Sequence, residues 1–383
     1  MRFLIIGQGL AGTLTGYRLE RAGHDVHYVD APEQMAASAV AAGIVNPITG
    51  RRFVKSWRID ELIPEAKAVY TELESLLGVR FWHEMPLIRT LYNRGDRNDW
   101  EVRSGDPGYR EYMEDQPDPG GIPELTEPVF AYAGVRHAAR VDVGTMVAAF
   151  REKIVAEGRF LAEEFDYARI ETLLGTSKRP EARNERKDLR AFPASHPPRT
   201  PEGLPRTLEG PSGTLRGPEY DQIICCEGWR ARFNPWFAHL PHGGNKGEVL
   251  IVKTKAPLLD RMFKHRVFLV PLADDTYWVG ATSENRFDDD SPTPHNRQYL
   301  EDRLAEVLKV PYEIIDHRAA VRPTVRDRRL FIGVHPEEPR LAILNGLGTK
   351  GASLAPLGSR WLVEHLLEGK AIPAEVDIGR WGA

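Results

Sequence analysis

Hydrophobic and polar positions change period several times along this chain, and the changes mark its elements. Phe3 to Ile6 is a short apolar run that reads as a buried strand. It feeds directly into Gly7-Gln8-Gly9-Leu10-Ala11-Gly12, after which Leu10, Leu14, Tyr17 and Leu19 fall at helical spacing. Gly23 is placed to stop that helix, and Asp25 to Val29 reads as a second strand ending at Asp30. Further helical periodicity covers 60–78, 143–156, 294–309 and 353–368. Strand-like runs occur at 222–226, 248–253, 266–270, 277–281 and 341–345. Helices and strands alternate near the ends, whereas the strands in the middle crowd together. The pattern predicts a parallel α/β nucleotide domain interrupted by a domain built on an antiparallel sheet.

Composition narrows the functional classes. The chain of 383 residues is long enough for two domains, and 51 basic against 55 acidic residues leave a net charge of −4. That balance argues against a surface built to bind nucleic acid, and none is expected as a partner. No apolar run reaches spanning length, so no membrane span is expected. Glycines break the N-terminal apolar run too early for a signal peptide, and a cytoplasmic location is the expectation. The only cysteines, Cys225 and Cys226, are adjacent in an apolar run and read as buried strand residues. No metal-ligand spacing is present, since His24 and His27 would face opposite sides of a strand. Ser177 to Pro218 holds eight of the 29 prolines and almost no large apolar residues, and is expected to be a flexible surface insertion.

The strand–turn–helix–strand–acid pattern at the N-terminus is a dinucleotide fingerprint, with Asp30 eighteen residues after Gly12. Gly7 permits the tight turn, Gly9 lets backbone approach a pyrophosphate, and Gly12 allows close helix–strand packing. The helix start at Leu10 and Ala11 offers amide donors to phosphate, and Asp30 can accept hydrogen bonds from a ribose diol. The fingerprint alone suits FAD or NAD. A second glycine-rich turn, Gly346-Leu347-Gly348-Thr349-Lys350-Gly351, follows a strand and precedes a helix at the far end of the chain. Two such turns favour one long cofactor contacted at both ends.

Five patches together resemble the FAD-dependent oxidoreductases of the D-amino-acid oxidase type, which include glycine oxidases and sarcosine oxidases. They are the fingerprint with Asp30; the small-residue segment Ala37 to Pro47, with Ser38, Ala42 and Gly43; Ile223 to Gly228; Phe268 to Pro271 with Gly280 to Glu284; and Arg322-Pro323-Thr324 with the Gly346–Gly351 turn through Pro356. The resemblance implies a discontinuous Rossmann-like FAD-binding domain (1–57, 140–232 and 320–383) and an antiparallel-sheet α+β substrate domain (58–139 and 233–319). It implies noncovalent FAD held by Gly7, Gly9, Leu10, Ala11, Gly12, Asp30, Ser38, Ala42, Gly43, Gly228, Gly346, Gly348, Thr349, Lys350 and Gly351.

The implied reaction is oxidation of a C–N bond in a small amino acid or secondary amine, with hydride passing to flavin N5 and the imine then hydrolysed. By the same resemblance Arg322 holds the substrate carboxylate, Lys350 approaches the flavin edge and substrate, and Phe268 and Arg52 line the substrate. Phe268 stands where glycine oxidases carry a tyrosine, and Leu347 and Thr349 also depart from their pattern. Those departures point away from glycine and toward a larger or N-substituted amino acid. Oxygen or another electron acceptor completes the cycle. The alternatives are flavin-dependent modification of a tRNA base, as in a tRNA-modifying relative, and an NAD-dependent dehydrogenase.

Overall fold

The computed structural model describes residues 1–31, 36–175, 220–255 and 259–382. The flexible insertion expected at 177–218 lies outside them.

Arg2–Ile6 forms the centre of a six-stranded sheet. It pairs in parallel with Asp25–Asp30 on one side and Gln222–Cys225 on the other, and the latter pairs in parallel with Leu341–Asn345. Every one of Phe3, Leu4 and Ile5 is fully buried, because helices or loops cover both faces of a parallel sheet. The expected helix runs Leu10–Arg21, and its predicted apolar positions Leu10, Leu14, Tyr17 and Leu19 are all buried. Leu341–Asn345 then leads through the second glycine turn into the helix Gly351–Glu368, which lies beside the first.

The second layer is an eight-stranded, mostly antiparallel sheet. Its core pair is His242–Thr254, longer than the run read at 248–253, against Tyr312–Val325, which the sequence pattern did not mark as a strand. Alternation gives this sheet two distinct faces. Val249, Ile251, Met262, Val270, Trp278 and Ala320 face the core shared with the Leu10–Arg21 and Gly351–Glu368 helices. Leu250, Val252, Phe263, Leu269, Tyr277 and Val279 face the helix Pro294–Ala305 through Leu300 and Leu304. On that far face Lys246 and Glu248 are buried together, their Nζ and Oε1 3.3 Å apart. Glu248 also accepts from the Thr293 amide at 2.8 Å and from the Asn296 amide group at 2.8 Å.

Three expectations shift. The helix placed over 294–309 ends at Ala305, and the strand placed at 266–270 begins at Phe268 and runs to Pro271. Tyr312–Val325 runs unbroken through the boundary expected at 319/320, so Arg322 belongs to the antiparallel sheet. No helix among the described residues is long and apolar enough to cross a membrane.

Candidate functional site

The two glycine turns meet where the fingerprint helix and the C-terminal helix begin. Gly7 has φ +93°, and a Cβ there would lie 2.6 Å from the Cys226 carbonyl oxygen. A Cβ on Gly12 would lie 2.0 Å from the Gly7 carbonyl oxygen, so these glycines are required by the turn itself. Neither helix start carries an acidic residue in its first turn or a side-chain cap. Two uncapped, uncompensated N-termini side by side favour anionic groups in front of them.

The small-residue segment closes over this turn. Ala37–Val40 is one helical turn, and Ser38 Oγ lies 3.4 Å from where a Gly9 Cβ would stand. Gly43 has φ +69°, and a Cβ there would meet the Val141 carbonyl oxygen at 1.8 Å. Ala42 is buried beside it, and Trp278 Nε1 donates to the Val40 carbonyl at 2.8 Å, tying the segment to the antiparallel sheet. Asn345 joins the turn after the strand Gln222–Cys225 to the C-terminal glycine turn. Its Nδ2 donates to the Gly228 carbonyl at 2.9 Å, and its Oδ1 accepts from the Gly346 amide at 2.8 Å.

Asp30 ends its strand as expected, and Arg151 forms an ion pair with its carboxylate. Arg151 Nε also donates to Gln8 Oε1 at 2.5 Å, so the fingerprint acid is braced from the neighbouring helix. Burial raises the Asp30 pKa, and the Arg151 charge opposes that rise. Sequence reasoning missed Arg151, which stands 121 residues from Asp30 and carries no local signal. Cys225 and Cys226 are both buried, and burial raises both thiol pKa values.

Arg322 lies on the face of the antiparallel sheet shared with Ala320, toward the glycine turns. Its strand is bonded to the C-terminal turn, since the Gly348 amide donates to the Pro323 carbonyl at 2.8 Å. The guanidinium lies over Gly247 of the paired strand, where a Cβ would fall 1.9 Å from Nη2 and 2.2 Å from Cζ. Nη1 donates to Asn245 Oδ1 at 2.6 Å and to the Thr282 carbonyl at 3.3 Å. No carboxylate among the described residues lies within ion-pairing distance of it. Burial lowers its pKa, which leaves a strong cation with neutral partners and a charge to satisfy.

Lys350, at the start of the C-terminal helix, donates from Nζ to Ser56 Oγ at 3.2 Å. Burial and the charges of Arg329 and Arg328 lower its pKa. Gly348, Thr349 and Gly351 complete this turn. Gly351 needs its small size because a Cβ would stand 3.2 Å from Leu10 Cδ2 of the first helix. Phe268 is half-buried on the same sheet face as Arg322. Arg52 is not brought to this cluster: it is exposed in the turn of the hairpin 48–55 and lines a surface depression with Asp99, Val102, Arg103 and Asp106. Asn245, Gly247 and Ser56 were not foreseen. Gly247 directly before the strand-like run 248–253 was the available signal, because a glycine beside a strand can mark close approach of another group.

The model of the family described as FAD dependent oxidoreductase matches residues 2–365. Among solved structures, glycine oxidase from Geobacillus kaustophilus aligns with TM-score 0.71 at 21% identity, covering 97% of this chain and 96% of that one. Iminodiacetate oxidase from Chelativorans sp. BNC1 aligns with TM-score 0.70 at 18% identity, covering 98% of each chain. A curated tRNA 5-methylaminomethyl-2-thiouridine biosynthesis bifunctional protein from Marinobacter nauticus is 29% identical over 130 residues. That match takes in 30% of this chain and 21% of the relative's length. The cofactor is therefore FAD, and the NAD-dependent alternative is set aside.

Proposed function

The chain belongs to the FAD dependent oxidoreductase family, and from that premise we propose that it oxidises the C–N bond of a small amino acid or secondary amine. FAD, once bound, would supply the two-electron acceptor for a hydride from the substrate α-carbon, and water would hydrolyse the imine product. The amides of Leu10, Ala11 and Gly12 would hold the pyrophosphate, with Gly7, Gly9, Ser38, Ala42 and Gly43 admitting it closely. Asp30 would receive the ribose, while Gly228, Gly346, Gly348, Thr349, Lys350 and Gly351 would border the ring.

One observation carries the substrate reading. Arg322 is a half-buried guanidinium with neutral partners, held over a glycine and bonded through its own strand to the cofactor turn. A planar carboxylate in front of it gains a charge-assisted pair, which fixes the α-carbon relative to the ring. Asn245 and the Thr282 carbonyl hold the guanidinium in one orientation before substrate arrives. Lys350 adds positive potential at the helix start, where negative charge develops on reduction. Phe268 offers an apolar wall that excludes water and suits a substrate larger than glycine.

The test is anaerobic mixing of the yellow holoprotein with D-amino acids, glycine, sarcosine and proline. Bleaching of the flavin band by members of this panel is expected, and a band untouched by every amine would overturn the reading. A second reading, flavin-dependent modification of a tRNA base, is favoured by the 130-residue similarity to the tRNA biosynthesis protein. It predicts bleaching by tRNA carrying an aminoalkylated uridine and none by free amino acids.

A further inference from the structure

Arg322 shares this sheet face with two further half-buried cations, Lys264 and Arg89. In the antiparallel sheet Lys264 stands opposite Phe268 on one side and level with Arg89 on the other. Met262, two residues before Lys264, and Leu87 and Leu91, flanking Arg89, all belong to the core on the cofactor side. Alternation therefore directs Lys264 and Arg89 to the same face as Arg322.

Neither cation is balanced. Lys264 Nζ sits 4.6 Å from the Phe268 ring centroid and donates to the Arg266 carbonyl at 3.2 Å. Arg89 lies 4.5 Å from the Phe53 ring centroid and donates from Nη2 to the Gly50 carbonyl at 3.3 Å, while its buried Nε has no partner. Among the described residues no carboxylate lies within ion-pairing distance of either. Two half-buried like charges side by side, faced by rings and carbonyls, are unfavourable unless an anion visits them. Burial and the neighbouring Arg89 lower the Lys264 pKa to about 8, and burial lowers that of Arg89 to about 10. The hairpin that supplies Gly50 and Phe53 also leads to Ser56, the partner of Lys350. The same segment thus borders both the cation pair and the cofactor turn.

Resting on the reading of Arg322 as the carboxylate anchor, we propose that Lys264 and Arg89 form a second anion subsite and that the substrate is an amino acid bearing a second acid group. The sheet register sets its length. Phe268 pairs with Gly280, Gly280 with Val249, and Gly247 lies two residues further along the same strand. Two strand spacings and a two-residue step place Gly247 about 12 Å from Phe268. With about 3 Å of contact at each end, the two acid groups stand about 6 Å apart. A chain of about four or five bonds spans that separation. N-carboxymethyl amino acids and glutamate-like acids meet it, whereas sarcosine and proline leave the subsite empty.

The test uses FAD-loaded protein and unreactive ligands, so it does not depend on turnover. Calorimetry compares glutarate, 3-phosphonopropionate and valerate, which present a second carboxylate, a phosphate-like group or only a methyl. Glutarate is expected to bind about tenfold or more tighter than valerate, the scale of one charge-assisted hydrogen bond. If the phosphonate gains more than glutarate, the second group is phosphate-like; if less, it is a carboxylate. Lys264→Met should bring glutarate and valerate within threefold, and Lys264→Arg should keep them apart. Equal binding by wild-type protein, no binding of any of the three, or a preference that survives Lys264→Met each overturns the subsite. Amine-driven bleaching reports separately: a glutarate preference without bleaching by any amino acid leaves the subsite standing and removes the oxidase reading.

Discussion

Gly247→Ala isolates the function of Arg322 without touching Arg322 itself. The glycine lies inside a paired strand, so alanine is compatible with its backbone. Its new methyl group would stand 1.9 Å from Nη2, 2.2 Å from Cζ and 2.3 Å from Nη1 of Arg322. All three atoms belong to the far end of a flexible side chain, so the guanidinium moves and the sheet stays. The fold gains about 0.5–1 kcal/mol from replacing a strand glycine and loses a similar amount to crowding, so Tm changes little. The substrate carboxylate, however, loses at least one charge-assisted hydrogen bond, about 2 kcal/mol or about 30-fold in KM. Steady-state kinetics with the best amino acid from the bleaching panel, alongside FAD content and a thermal melt, measures all three. Arg322→Ala should raise KM similarly, and the double variant should be no worse than either single one. An unchanged KM in Gly247→Ala, or fully additive effects in the double variant, would refute the placement of Arg322 at the substrate.

Other expectations concern the cofactor, pH and the far side of the sheet. Gly43→Ala should abolish FAD retention, because its Cβ would collide with the Val141 carbonyl at a positive φ; absorbance of the purified protein reports this. Asp30→Ala should weaken FAD binding and leave the ranking of amine substrates alone, as read by FAD titration and the bleaching panel. The glutarate preference should fall as pH rises through about 8, since Lys264 loses its charge above that point; a flat profile from pH 6 to 9 argues that Lys264 makes no contact with the anion. Glu248→Ala should destabilise the fold by about 3 kcal/mol by leaving the buried Lys246 ammonium with only the exposed Asp289 carboxylate, 3.9 Å away, visible as a lowered denaturation midpoint.

Legibility followed how local each signal was. The fingerprint turn, its helix and Asp30 could be read directly, because a turn–helix start encodes its geometry within about twenty residues. The long strand Tyr312–Val325 could not, since Pro323 argues against a strand and the partner that tolerates it, Gly244, is distant in sequence. The glycines and asparagine of His242 to Gly247 likewise look like a loop until Arg322 is seen to need the space. Arg322 and Lys350 became candidates through family resemblance alone. Lys264 and Arg89 were invisible, because only the parallel pairing of Met262–Lys264 with Leu87–Leu91 makes them neighbours.

The strand order of the six-stranded sheet also constrains how the protein is made. Arg2–Ile6 leaves the ribosome before the other strands of this sheet, yet one of its two neighbours is Gln222–Cys225, whose own partner is Leu341–Asn345. At a synthesis rate of about 5–20 residues per second, the fingerprint waits about 17–70 seconds for the residues that complete its sheet. During that interval its glycine turn has no opposing helix start and no Asn345 to brace Gly228. Capture of the flavin therefore waits for residue 345, and nascent fragments ending before it should emerge colourless.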